Sequence, residues 1–280
     1  MNLREEAQRI ILQYRIKPRK RLGQHFLVEE EAIQRIISHA SLTPKDRVLE
    51  IGAGLGFLTE RLAEKAGHVI AVEIDKRLAK VLRGRLAKTE NVTILEGDIL
   101  KIDPPQFDKV VSTPPYRISS QIQFWILERK VKEATLTFQE EFAKCLVAPI
   151  GSRDYGRLTI ATYYRAEAEI LEKIPREMFW PHPRVDSVIV KLRLRSPPFH
   201  VDNEKIFFDV VRDIFTQKNR KLRKAIIPFL THYNLTKSSI QEIADSLPFS
   251  SRRPRELSPE EIGMIADEIF RKLRELKVSL

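Results

Sequence analysis

Between residues 48 and 140 the chain alternates short β-branched runs with amphipathic helical stretches, and no other feature narrows its fold as far. "RVLEIGAG" reads as a strand and "FLTERLAEKA" as a helix, then "HVIAVEI" and "KRLAKVLRGRLA" repeat the pair. "VTILEGDI", "KVVS", a helix around "SSQIQFWILERK" and the strand "EATLTFQ" continue the rhythm. Alternation at this spacing predicts βαβ units and a parallel sheet covered on both faces, an α/β fold. Past residue 150 the rhythm changes. "YGRLTIATYYRA" is helix-like, "AEILEKIP" strand-like, and "VDSVIVKLRLR" alternates like a sheet strand. The proline-rich break "SPPFH" then precedes helical patterns at roughly 203–217, 219–231, 237–246 and 259–275. The last helix has Ser258 as cap, Pro259 at its first position and Glu261 to complete a capping box. A boundary near Pro197 and Pro198 divides the chain into residues 1–197 and a small helical domain, 198–280.

The chain is 280 residues long and 42% hydrophobic, enough for one large core and a smaller satellite. Lys and Arg outnumber Asp and Glu by 49 to 38, a formal charge of +11. That balance fits a polyanionic partner, and nucleic acid ahead of acidic membrane, because no isolated amphipathic basic helix stands out. A single cysteine, Cys145, rules out an internal disulfide framework and a cysteine-based zinc site, and no metal is expected. "MNLREEAQRI" lacks the apolar stretch of a secretory signal, and no run approaches the roughly 20 apolar residues of a membrane span. The expectation is a soluble cytoplasmic protein.

Glycines at 52, 54 and 56 fall between a predicted strand and a predicted helix. Glycine permits a tight turn and close approach of backbone to a ligand, with helix N–H groups facing the site. The third glycine comes one residue earlier than G-x-G-x-x-G requires, which suits a cofactor lacking a pyrophosphate. The next strand ends at Glu73, 21 residues after Gly52, where a carboxylate can accept hydrogen bonds from a ribose diol. The third strand ends near Asp98, at the same sheet edge, where it would hold an adenine amino group. Together they define one crevice for an adenosine-containing cofactor.

The fourth strand runs into "TPPY", residues 113–116, at that crevice. Pro114 and Pro115 restrict the backbone and remove N–H donors, leaving carbonyls free to accept hydrogen bonds at a fixed place. Tyr116 offers a face on which a base can stack. Acceptors held on the N–H groups of an exocyclic amine would favour the geometry in which its lone pair attacks a methyl group.

With "KRLGQHFL" (20–27), "LEIGAGLGFLT" (49–59), "VEID" (72–75), "GDIL" (97–100), "PPYRISS" (114–120), "FQEEFAKCLVA" (138–148), "YGRLT" (155–159) and "FWPHPRVDSVIVKL" (179–192), the chain resembles the ribosomal RNA adenine dimethyltransferases, in an archaeal-type form. The resemblance runs from about residue 15 to the C-terminus; "GQHFL" and "FWPHPRVDS" are its least generic parts. It implies a Rossmann-like, seven-stranded methyltransferase sheet followed by a small helical domain. It also implies S-adenosylmethionine as cofactor and, as substrate, two adjacent adenines near the 3′ end of small-subunit rRNA, with the protein acting as a monomer in ribosome biogenesis. Cofactor contacts carry over to His25, Leu27, Gly52, Gly54, Glu73, Asp98 and Thr113, and catalysis to Thr113, Pro114, Pro115 and Tyr116. "GQHFL" would be a lid strand over the methionine half of the cofactor. One departure stands out: the family usually has Asn-Leu-Pro-Tyr where this chain has Thr113-Pro114-Pro115-Tyr116.

Basic residues cluster twice without acidic neighbours in sequence, and one further short basic group stands beside them. "RIKPRKRLGQ" holds Arg15, Lys17, Arg19, Lys20 and Arg21; "QKNRKLRK" holds Lys218, Arg220, Lys221, Arg223 and Lys224; "SRRPRE" adds Arg252, Arg253 and Arg255. One cluster at the cofactor entrance and two in the small domain suit contacts to RNA phosphates, with sequence read from RNA shape and a splayed-out adenine. Two alternatives stay open. One is a family member that binds RNA as an assembly factor and catalyses poorly, for which Thr113 is the motive. The other is a methyltransferase for an adenine in large-subunit rRNA or DNA.

Overall fold

The computed structural model describes residues 2–276, as two compact units: Leu194 and the residues before it except 144–166, and 144–166 with Arg195 onward. The first unit opens with the helix α1 (Leu3–Gln13), whose Asn2 cap accepts from the Glu5 N–H at 2.9 Å. Then come the short strand β1 (Phe26–Leu27), α2 (Glu30–Ala40), β2 (Arg47–Ile51), α3 (Phe57–Ala63), β3 (His68–Glu73), α4 (Lys76–Arg85) and β4 (Val92–Glu96). β5 (Lys109–Ser112), α5 (Ser119–Leu127), β6 (Glu133–Gln139) and α6 (Glu140–Leu146) follow, then α7 (Arg157–Arg165), which belongs to the second unit, and β7 (Ala166–Ile174), β8 (Phe179–Trp180) and β9 (Ser187–Leu194).

Seven strands form one sheet in the order β4-β3-β2-β5-β6-β9-β7. β2 pairs in parallel with β3 and β5, β3 with β4, and β5 with β6, while β9 runs antiparallel to β6. β2 and β3 are mostly apolar and buried, which is why they read as continuous runs, whereas β6 is buried yet alternates Thr135 and Thr137 with Ala134, Leu136 and Phe138. Ile33 and Ile36 of α2, Leu58 and Leu62 of α3, and Leu78 and Val81 of α4 share one core cluster with Val48, Val69 and Val111. Strand order reverses at β2, with β3 and β4 on one side of it and β5 and β6 on the other. That makes the crevice beyond the C-terminal ends of β2 and β5 the topological switch point.

At the opposite end of the sheet, α2 is closed by two lysines. Lys109 Nζ donates to the Ser41 carbonyl at 2.7 Å, Lys191 Nζ to that of His39 at 2.7 Å, and both flank the Glu133 carboxylate at 3.4 Å. Cations at a helix C-terminus complement its dipole.

The second unit is helical. α8 (Glu204–Ile214), α9 (Leu222–Ala225), α10 (Ile227–Thr231), α11 (Lys237–Ser246) and α12 (Pro259–Glu275) gather Phe207, Val210, Leu222, Phe229, Ile243 and Ile265 around one core. At α12 the Ser258 hydroxyl accepts from the Glu261 N–H at 3.1 Å and the Glu261 carboxylate from the Ser258 N–H at 2.8 Å, the capping box expected from sequence. Two sequence expectations differ from the structure. The helix expected over 219–231 is two short ones, because Pro228 has no N–H to continue the ladder and sits in the first turn of α10. The division expected near residue 197 falls between Leu194 and Arg195, and Lys144–Ala166 also joins the second unit. The reason is α7, whose Ile160 and Tyr164 bury their side chains with Val201, Phe207 and Val210.

Candidate active site

The glycine turn after β2 is held by β3. Gly52 and Ala53 donate to the Val72 carbonyl at 2.8 and 3.1 Å, and Gly52, Gly54 and Gly56 all have positive φ. At Gly52 a side chain would meet Pro115 Cδ at 3.1 Å, so the turn and the proline corner are in van der Waals contact. Ser112, the last residue of β5, stitches the same two strands. Its Oγ accepts from the Ile51 N–H at 3.2 Å and donates to the Ile51 carbonyl at 2.6 Å, past the last ladder pair of Leu49 with Val110.

Glu73 closes the other wall. Its carboxyl is 4% exposed and accepts from the Gly54 N–H at 2.9 Å and the Asp75 N–H at 2.8 Å. Burial drives its pKa up and those two N–H groups pull it down, with burial prevailing. Glu50, inside β2, is 2% exposed and accepts from the Thr59 hydroxyl at 2.6 Å. Burial pushes its pKa up to about 8 against that hydrogen bond, and the neighbouring Glu73 adds to the rise.

His25, Leu27, Gly52, Gly54, Glu73, Thr113, Pro114, Pro115 and Tyr116 line one cavity, and Glu50, Phe26, Ile74 and Phe179 join them. Asp98 follows β4 at the same sheet edge but does not line this cavity; its Oδ1 accepts from the Leu100 N–H at 3.1 Å. No Lys or Arg is among the lining residues. Two buried carboxyls without a cation, in a chain of net charge +11, make a site for a cationic or hydrogen-bond-donating ligand and a poor one for a pyrophosphate.

The roof is a two-stranded sheet in which Phe26 pairs antiparallel with Trp180 and Leu27 with Phe179. Phe26 packs against Gly54, where a Cβ would come within 3.1 Å of its ring. His25 Nδ1 lies 2.7 Å from the Pro181 carbonyl, and its ring stacks on Tyr116 at 5.9 Å. Phe179 meets Tyr116 edge-on at 6.3 Å. Sequence reasoning missed Glu50 and Phe179. Glu50 hides in an apolar strand, where an uncompensated acid is itself the signal. Phe179 reaches the site only through a pairing that spans about 150 residues.

The basic segment before the roof is tied down. Gln24 Nε2 donates to Asp75 Oδ2 at 3.2 Å, Arg77 pairs with Asp75 at 2.6 Å, and Arg19 lies 3.8 Å from the same carboxylate. The Arg77 guanidinium holds Asp75 down at about 2. Arg21 is exposed; the Lys20 side chain lies outside the described residues.

In the second unit the two other basic segments come together. The Leu222 N–H donates to the Arg252 carbonyl at 2.7 Å and the Arg223 N–H to that of Ser250 at 3.0 Å. Arg220, Lys221, Arg223, Lys224 and Arg253 are exposed. Their roles are not equal. Arg223 lies 3.7 Å from Asp245, a counter-charge that the local sequence does not show. Lys218 Nζ donates to the carbonyls of Arg153 and Tyr155 at 2.6 and 3.1 Å. Arg252 pairs with Glu261 and donates to the Glu256 carbonyl, which commits it to the unit's own structure.

Comparison with known proteins follows this geometry. A family model described as ribosomal RNA adenine dimethylase matches residues 15–261. The chain is 47% identical over 249 residues to a probable ribosomal RNA small subunit methyltransferase A of Methanosarcina acetivorans, covering 88% of this chain and 92% of that one. It is 39% identical over 274 residues to the protein of the same description in Thermococcus kodakarensis, covering 96% of each. Among solved structures it is similar to a dimethyladenosine transferase from Plasmodium falciparum, with TM-score 0.75, 26% identity and coverage of 91% and 99%. It is also similar to the 23S rRNA methyltransferase ErmE, with TM-score 0.63, 32% identity and coverage of 88% and 99%.

Proposed function

The chain belongs to the ribosomal RNA adenine dimethylase family, and on that premise we propose that it transfers methyl groups from S-adenosylmethionine to the N6 amines of two adjacent adenines near the 3′ end of small-subunit rRNA. One observation carries the reading: the Thr113–Tyr116 corner and the Glu73 carboxylate wall a single cavity at the sheet's switch point. When bound, the cofactor supplies a methyl group on a positively charged sulfur, an electrophile whose leaving group departs neutral. The chain's residues have to hold and orient. Glu73 keeps lone pairs free beyond its two backbone bonds for a ribose diol, and Gly52 and Gly54 let the backbone come close. Glu50 and Glu73 give up protons that burial favours and become negative where a cation rests. The Pro114 carbonyl and the Thr113 hydroxyl are acceptors for the target N–H groups, and the Tyr116 and Phe179 rings are surfaces for the adenine. The exposed Arg21, Arg220, Lys221, Arg223, Lys224 and Arg253, with Arg19 close to Arg21 in sequence, hold RNA phosphates.

A small-subunit substrate is favoured over a large-subunit one because the relatives named for it are 37–47% identical, against 32% for the 23S rRNA enzyme. The protein acts in the cytoplasm as a monomer on immature small subunits; no helix among the described residues is long and apolar enough to cross a membrane. Thr113 motivates a second reading, an assembly factor that binds RNA and catalyses poorly. Incubating small-subunit rRNA and immature subunits with the protein and methyl-labelled cofactor, then mapping modified bases by mass spectrometry, decides. Dimethyladenosine at two adjacent positions is the expected result. No transfer to any small-subunit substrate overturns it in favour of the assembly factor, and label confined to large-subunit rRNA or DNA replaces the substrate.

A further inference from the structure

We propose that Ser187 is a positioning residue for methyl transfer, holding the Tyr116 ring in place as the wall against which the target adenine lies; this rests on the adenine-methylating reading above. Pro114 and Pro115 fix the backbone leading into Tyr116, but they do not fix its ring, which still turns about two side-chain torsions. Three contacts settle it. His25 stacks on one side at 5.9 Å, Phe179 meets it edge-on at 6.3 Å, and the Tyr116 hydroxyl lies 2.6 Å from Ser187 Oγ. Only the last is directional, and it fixes the far end of the ring against swinging out when a base presses on it.

Ser187 is well placed to anchor. It is 0% exposed and is the first residue of β9, paired across the ladder with Gln139 of β6. The corner itself hangs from β5, so the bond ties the end of one strand to the start of another two places along the sheet. The same stretch of chain holds the ring's other neighbours. Phe179 belongs to β8, and the Pro181 carbonyl lies against the His25 ring. Residues 179–187 therefore hold Tyr116 at its edge, through its stacking partner and at its hydroxyl. A serine needed only to fill the start of β9 would have no reason to meet the hydroxyl of a site tyrosine.

The test is a four-protein set: parent, Ser187→Ala, Tyr116→Phe and the double variant. Each single change removes the same hydrogen bond, so each should lower kcat about tenfold, the scale of one hydrogen bond, with KM for cofactor and RNA within about twofold. The double variant should be no slower than the slower single one, and Ser187→Thr, which keeps a hydroxyl, should recover most of the rate. Unchanged kcat in Ser187→Ala, or losses that multiply in the double variant, would overturn the proposal. So would a loss of activity that only tracks the folded fraction measured by circular dichroism. A parent that methylates nothing sinks the functional reading instead. The assignment is then decided by fluorescence of 2-aminopurine in single-stranded RNA: weaker base binding in Ser187→Ala supports it, and equal binding overturns it.

Discussion

Replacing Glu50 by Gln should make the cofactor-free protein more stable, and by an amount that grows with pH. Glu50 has a folded pKa of about 8 against an ordinary 4.5, because burial disfavours its charged form. Between those values the folded chain holds a proton that the unfolded chain has released. Stability from this group is therefore intact below about pH 4.5 and declines as pH rises towards 8, at about 1.4 kcal/mol per unit. From pH 5 to pH 8 the two-state linkage integral comes to about 3–4 kcal/mol, a large part of a domain's total stability. Gln does not titrate, and its carbonyl can still accept from the Thr59 hydroxyl. Urea denaturation of parent and Glu50→Gln at intervals across that range should show a gap that widens by about 3 kcal/mol. The parent should also release protons when the cationic cofactor binds near neutral pH, seen by calorimetry in buffers of different ionisation enthalpy, and Glu50→Gln should release fewer. A stability gap independent of pH would refute the reasoning, because it would mean Glu50 is already ionised in the folded chain.

Three further outcomes are expected. Glu73→Ala should weaken cofactor binding by about 1.5–3 kcal/mol by calorimetry, the range for hydrogen bonds to charged groups, while RNA affinity stays put. Neutralising Lys221 and Arg223 together should weaken RNA binding and reduce its salt slope by about one per lost phosphate contact, with cofactor affinity unchanged; an unaltered slope would reduce the pair to a solvated face. Thr113→Val should slow turnover about tenfold or more, and Thr113→Asn should preserve or raise it, in single-turnover methyl transfer to rRNA. Parent-like turnover in Thr113→Val would remove the hydroxyl from the chemistry.

The sheet was legible because strands such as β2 and β3 are mostly apolar runs cut by turn residues, and a parallel strand's C-terminal end is where a crevice opens. That logic locates the glycine turn, Glu73 and the proline corner from local pattern alone. It fails where the partner lies far along the chain. β1 is two residues long and becomes a roof only by pairing with β8, and Ser187 meets Tyr116 across 71 residues. Charge runs mislead for a related reason. Arg252 stands among basic neighbours in sequence yet reaches Glu261, one helix onset away, and so is already engaged. Asp98 follows the edge strand β4 at the same sheet edge, just outside the lining of the cavity, where an adenine amino group extending from it would be met.

The two units are interleaved in sequence, and this has a consequence for synthesis. When residues 144–166 leave the ribosome, the helices that bury Tyr155, Ile160 and Tyr164 have not yet been made. The first unit is also still incomplete then, since β9 is to come and inserts between β6 and β7. The first unit is complete in sequence once Leu194 is made, but it must then fold around 144–166 as an insertion whose partners are still missing, unlike the usual order in which contiguous domains fold one after another. A nascent chain stopped at residue 197 should expose the α7 face and bind holdase chaperones, whereas release of the full length should bury it. For the same reason no single cut separates the catalytic unit from the helical one, and each is obtained alone only by joining non-adjacent segments.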